Sequence, residues 1–279
     1  MVSALKDGGQ TTNLPVAGAS LLGPRAVLLF DIDGVIRDVG GSYRRALVET
    51  VHHYGGWRPS PAAIDELKGE GSWNNDWEAS AELLRRGGLD PLPAFDQLVE
   101  VFSGFYFGGD PGGDPAHWTG FIRSEPLLVD SAFFTALEGE GIAWGFVSGA
   151  EPPSARFVLQ ERLGLAAPPL IAMGDAPDKP DPAGLLRLGE ALAGAALGPG
   201  CPPIAYLGDT VADVHTVQRA RREVPGQAFL SLAVAPPHLH PPELGDNRRH
   251  YEQKLLDAGA DRVIPHTGAV LEALIPQLS

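Results

Sequence analysis

Five short stretches of this chain are apolar at almost every position rather than at every second one: “AVLLFD” (26–31), “IAWGFVS” (142–148), “PLIAM” (169–173), “IAYLGD” (204–209) and “AFLSLAV” (228–234). A strand that is apolar toward both faces has to be covered on both, and a parallel sheet packed between two layers of helices does this. The stretches that separate the later runs have helix length and helical spacing: “DSAFFTALEGEG” (130–141), “PPSARFVLQERLGL” (152–165), “DPAGLLRLGEALAGA” (181–195) and “TVADVHTVQRARRE” (210–223). The alternation predicts an α/β fold with a doubly wound parallel sheet. Such sheets bind ligands in the crevice outside the carboxyl ends of their strands.

The regular spacing breaks once. About 110 residues separate the first apolar run from the second, far more than one crossover helix needs. Four segments inside the gap carry helical spacing and end at Gly or Pro: “SYRRALVETVHHYG” (42–55), “SPAAIDELKGEG” (60–71), “DWEASAELLRRGGL” (76–89) and “PAFDQLVEVFSGFYF” (93–107). The expected organisation is a lead-in at 1–24, a core made of 25–39 and 126–279, and an inserted α-helical domain at 40–125. After residue 235 the chain is expected to form a proline-rich loop, a helix, a short edge strand “RVI” and a terminal helix.

With 279 residues and 44% hydrophobic composition the chain can fill a sizeable core. Its formal net charge of -14 repels phosphate backbones and anionic lipid, so neither nucleic acid nor a membrane surface is an expected partner. No stretch approaches the roughly 18 consecutive apolar residues of a membrane span. Cys201 is alone, which excludes an internal disulfide framework and suits a reducing compartment. A cytoplasmic protein acting on a small molecule is expected, as a monomer or a homodimer.

The chemistry-bearing residues collect at strand ends. Asp31 and Asp33 close the first run, Ser148 closes the second, Lys179 lies in the loop after the third, and Asp209 and Asp213 follow the fourth. Parallel strands bring these ends to one edge, where four acids repel one another unless a cation and a basic side chain neutralise them. Hard oxygen ligands favour Mg²⁺, and Lys179 supplies an ammonium. Phosphoryl transfer through an aspartyl-phosphate needs this set: one carboxylate attacks phosphorus, and a second, two residues on, handles the proton. In a continuing strand Asp31 and Asp33 face one side while Ile32 anchors the other. Gly34 lets the backbone turn close to a phosphate, and Ser148 with the Gly149 amide can donate to it.

“DIDGV”, “FVSG”, “KPDP” and “GDTVAD”, in that order, resemble the four motifs of the haloacid dehalogenase superfamily. The insertion directly after the first motif resembles the helical cap of the subfamily that includes phosphoglycolate phosphatase and β-phosphoglucomutase. The resemblance implies that Asp31 is the nucleophile and Asp33 the general acid/base, and that Ser148 and Lys179 bind the phosphoryl group. It implies Mg²⁺ held by Asp31, the main-chain carbonyl of Asp33 and Asp209, with Asp213 in support. The dehalogenases themselves lack the second aspartate, so Asp33 argues for phosphate esters over carbon–halogen bonds. “DVGGSYRRA” and “NNDW” further resemble a bacterial and archaeal branch of the subfamily, which suggests no substrate.

The expected function is therefore a Mg²⁺-dependent phosphatase for a small phosphorylated metabolite. A phosphomutase, or a protein that binds a phosphorylated ligand without turning it over, are the alternatives. In the insertion, Asn74 and Asn75 of the polar loop “KGEGSWNNDWEAS” (68–80) and Arg45 of the first helix are candidate substrate contacts. The same residues also read as a helix cap and a solvated helix face, and Trp73 and Trp77 as packing.

Overall fold

The structure, a computed structural model, describes residues 23–277 other than 71, 72 and 74. The expected lead-in at 1–24, apart from its last two residues, and Asn74 lie outside the described residues.

Every apolar run becomes a strand. β1 (Ala26–Phe30) leads into the insertion, whose helices are α1 (Tyr43–Gly55), α2 (Pro61–Gly69), α3 (Asp76–Arg86) and α4 (Phe95–Tyr106). The chain then alternates α5 (Ser131–Gly139), β2 (Ile142–Val147), α6 (Pro152–Arg156), β3 (Leu170–Ile171), α7 (Ala183–Ala193), β4 (Ile204–Gly208), α8 (Val211–Glu223) and β5 (Phe229–Val234). It ends with α9 (Gly245–Asp257), β6 (Arg262–Ile264) and α10 (Val270–Leu274). Among the described residues the six strands form one parallel sheet in the order β3-β2-β1-β4-β5-β6. The order reverses direction at β1, and the crevice at that reversal is where the carboxyl ends of β1, β2 and β4 meet.

Side chains along β1 alternate between two covered faces, as the period of a strand requires. Leu28 and Phe30 join Phe134, Phe146, Leu207 and Val234 on one face. Val27 and Leu29 join Leu185, Leu188, Tyr206 and Val217 on the other, beneath α7 and α8. Ile32 continues the first set, which leaves Asp31 and Asp33 on the opposite side of the extended chain.

The apolar packing of the first face continues without a break into the insertion. Trp118 bridges the two, with its ring 4.7 Å from Phe107 and 5.3 Å from Phe157, centroid to centroid. Leu47, Leu84 and Phe102 belong to the same cluster as Phe30.

Several helices are a residue or two shorter than expected at one or both ends, and two differ more. The segment 152–165 begins as an α-helix and widens to a π-helical turn over Phe157–Arg162. The wider turn sends three consecutive apolar side chains, Phe157, Val158 and Leu159, inward. α3 ends at Arg86, not at residue 89, because Gly88 adopts φ +84°, through which an α-helix cannot continue.

Candidate active site

β1 and β4 set the site's floor. The amide of Asp31 still donates to the Leu207 carbonyl, 2.9 Å, so the position of Asp31 is held by the sheet ladder itself. The chain then turns sharply, with the amides of Ile36 and Arg37 both reaching the Ile32 carbonyl. Gly34 sits in this turn at φ +73°, and a Cβ on it would lie 2.0 Å from Asp209 Oδ2. Only glycine allows both the left-handed backbone and that approach. Gly208 meets only the demand for space, since a Cβ there would lie 2.2 Å from the Cβ of Asp213.

Lys179 occupies the centre. Its ammonium is 3.0 Å from Asp31 Oδ2, 2.6 Å from Asp213 Oδ1 and 3.3 Å from the Tyr206 hydroxyl. Asp213 is nearly sealed from solvent, and its other oxygen, Oδ2, accepts from both the amide (2.9 Å) and the hydroxyl (2.6 Å) of Thr210, closing a capping box at the start of α8. Asp213 thus serves as the anchor of Lys179, with its oxygens already engaged by the protein. Tyr206, on β4, lies 2.8 Å from the Val147 carbonyl and 3.0 Å from Asp213 Oδ1. It ties the end of β2 to the lysine.

Asp31, Asp209 and Asp213 each present a carboxylate oxygen within 4.8 Å of the others. Asp31 Oδ1 is buried and has no hydrogen-bond partner. Burial pushes the Asp31 carboxyl up to about 6, although Lys179 pulls it down; Asp213 and Asp33 push the same way as burial. Burial also drives Asp209 well above the usual carboxylate range, with Asp213 and Asp31 adding to it. For Asp213, burial is overcome by the Lys179 ammonium and the Thr210 donors, and its carboxyl lies below its ordinary value. Lys179 is desolvated too, yet Asp213 and Asp31 hold it firmly protonated. One ammonium does not neutralise three buried acids, and an orphaned carboxylate oxygen asks for a positive ligand. The donors are hard oxygens, so the residues fit a divalent cation of the Mg²⁺ class.

Ser148 is buried at the end of β2, where its amide donates to Ile171 and its Oγ accepts from the Ala150 amide at 3.2 Å. Gly149 next to it is exposed, with open space where a side chain would stand. Ser148, Gly149 and Lys179 line one narrow recess with Asp178 and Asp181. Asp33 is partly exposed and is gripped through Oδ1 by Arg37 Nε at 2.7 Å.

Of the candidates in the insertion, Arg45 and Asn75 make contacts within it. Arg45 is exposed and its guanidinium lies over the Phe121 ring, 4.0 Å from the centroid. Asn75 caps α3, accepting from the amides of Trp77 (2.9 Å) and Glu78 (3.3 Å). Sequence reasoning missed Tyr206, Arg37, Glu125 and Tyr106. The available signals were a tyrosine inside “IAYLGD”, whose hydroxyl needs a partner once buried, and an arginine inside the apolar turn “GVIRD”.

No family model matches the chain. A protein named imidazoleglycerol-phosphate dehydratase from Phytophthora nicotianae is 30% identical over 203 residues, covering 71% of this chain and 42% of that protein. The chain thus spans about two fifths of that relative's length. Among solved structures, a phosphonoacetaldehyde hydrolase-like protein from Oleispira antarctica is 17% identical, covers 95% of this chain and 96% of that one, and superposes with a TM-score of 0.62. A family IA hydrolase of the haloacid dehalogenase type from Entamoeba histolytica is 12% identical (91% and 99% covered, TM-score 0.61). A phosphatase from Thermococcus thioreducens is 20% identical (82% and 99% covered, TM-score 0.56). In fold the chain is similar to hydrolases of the haloacid dehalogenase type, and among the described residues four α-helices are inserted after its first strand.

Proposed function

We propose that the chain is a phosphatase that hydrolyses a small phosphomonoester through a phosphorylated Asp31. The observation that carries this is the buried, unpartnered Oδ1 of Asp31 beside a lysine that already holds Oδ2. The open oxygen is free to face the cation, which leaves the oxygen beside the lysine ammonium to attack phosphorus. Lys179 is placed to neutralise the transferring phosphoryl group, and Ser148 with the Gly149 amide to donate hydrogen bonds to it. Asp33, held by Arg37, gives its proton to the leaving oxygen as the ester P–O bond breaks, then takes a proton from the water that displaces Asp31 and releases inorganic phosphate. Asp31, Asp209 and the Asp33 carbonyl, supported by Asp213, would hold Mg²⁺, which when bound supplies charge neutralisation for the phosphoryl oxygens and the acids.

The decisive experiment measures inorganic phosphate released from p-nitrophenyl phosphate and a panel of metabolite esters with Mg²⁺ present. The panel includes imidazoleglycerol phosphate, because of the similarity to the imidazoleglycerol-phosphate dehydratase from Phytophthora nicotianae. Phosphate is expected in proportion to substrate consumed, and a folded Asp31→Asn variant is expected to release none. Conversion of a sugar phosphate to its isomer without free phosphate would make the chain a mutase.

A further inference from the structure

Two chain segments join the insertion to the sheet, and they pair with each other: the Asp38 amide donates to Pro126 and the Leu128 amide to Ile36, both at 2.9 Å, with Arg37 opposite Leu127. Between them lies a buried polar cluster that the catalytic groups do not account for. Arg37 is wholly buried, and its guanidinium reaches in three directions: Nε to Asp33 Oδ1 (2.7 Å), Nη1 to Glu125 Oε2 (3.0 Å) and Nη2 to Ser154 Oγ (2.8 Å). Glu125, 2% exposed, receives the Ser42 hydroxyl on its other oxygen, along with the Tyr106 hydroxyl at 3.2 Å. The Tyr106 hydroxyl is also 2.7 Å from Ser154 Oγ. Ser42 and Tyr106 belong to the insertion, Ser154 to α6, and Arg37 and Glu125 to the two connections.

Burying a guanidinium and a carboxylate costs several kcal/mol each before any attraction is counted, and apolar residues of the same volume commonly hold a hinge as well. The arrangement gains something apolar packing cannot supply. It fixes one oxygen of Asp33 by a charge-assisted bond from the protein side, while Oδ2 makes no hydrogen bond among the described residues. We propose that Arg37 is a positioning residue: it sets the carboxylate of Asp33 from inside the hinge, and through Glu125, Ser42 and Tyr106 it ties that setting to where the insertion stands. This rests on the reading of Asp33 as the proton donor to the leaving oxygen.

A leaving group that needs no proton separates this role from a purely structural one. p-Nitrophenolate departs unprotonated, whereas an alkoxide such as that of glycerol 2-phosphate must take the Asp33 proton as the P–O bond breaks. kcat/KM ends at phosphorylation of Asp31, so the later attack of water, common to both esters, does not enter it. In Arg37→Met, kcat/KM for glycerol 2-phosphate is expected to fall about 100-fold further than for p-nitrophenyl phosphate, the scale of a general acid displaced by about an ångström. Arg37→Lys, which keeps the charge but not the fork, should lie between, and Tyr106→Phe should show the same selectivity with a smaller loss. These two decide the matter if Arg37→Met does not fold. Equal losses on both esters in the folded variants would overturn the positioning role alone. A wild-type chain inactive on every ester would overturn the proposed function, and this inference with it.

Discussion

A single methyl group on Gly34 would have to pass through the carboxylate of Asp209. Gly34→Ala also forces a left-handed backbone on alanine, which costs about 1–3 kcal/mol. The variant is expected to lose about that much unfolding free energy in urea titrations and to bind Mg²⁺ more weakly by calorimetry, because Asp209 must retreat. Lys179 acts in the opposite sense, by charge. Lys179→Met leaves Asp31, Asp209 and Asp213 crowded without their ammonium, and breaking a buried ion pair from one side costs about 3–5 kcal/mol. Thermal unfolding at neutral pH should show that loss, and added Mg²⁺ should restore part of it. Asp31, Asp33, Lys179 and Asp209 were legible in the sequence because each follows the end of a strand, and strand ends converge in a parallel sheet. For Asn75 the structure shows the helix cap, one of the two readings its sequence offered, and for Arg45 an exposed guanidinium over the Phe121 ring.

Within the insertion, α3 carries a network of ion pairs in addition to its packing. Glu82 accepts from Arg85 Nε (2.7 Å) and Arg86 Nε (2.6 Å), and Arg86 goes on to Glu70 beyond the end of α2 (2.7 Å). Those two arginines hold the Glu82 carboxyl down to about 2 from an ordinary 4.5. A depressed carboxylate binds its proton more readily in the unfolded chain, so its stabilisation is full above about 4.5 and is lost as the pH falls toward 2. Glu82→Gln is expected to lower the melting temperature at neutral pH and to flatten its decline between those two values, read by circular dichroism. The elements themselves were readable from periodicity. The π-helical turn after α6 was not, since it answers to Trp118, which reaches Phe157 from a segment some forty residues upstream.

Across the whole molecule, one apolar cluster runs from Leu28 and Phe30 in the sheet through Trp118 to Leu47 and Phe102 in the insertion. Units with separate cores unfold separately, and a shared core couples them. A single calorimetric transition is therefore expected, coincident when followed by far-ultraviolet circular dichroism and by tryptophan fluorescence; two resolved transitions would contradict it. The sequence by itself determined the parallel sheet, the place of the insertion and the acids with their lysine, because these follow from local patterns: runs apolar on both faces, and polar residues where such runs stop. Only the tertiary structure decided which oxygens of those acids are engaged, that Tyr206 backs the lysine, and that Arg37, Glu125, Ser42, Tyr106 and Ser154 meet in one buried cluster. Those partners lie up to 117 residues apart along the chain, and no local rule of period or propensity carries information across that separation.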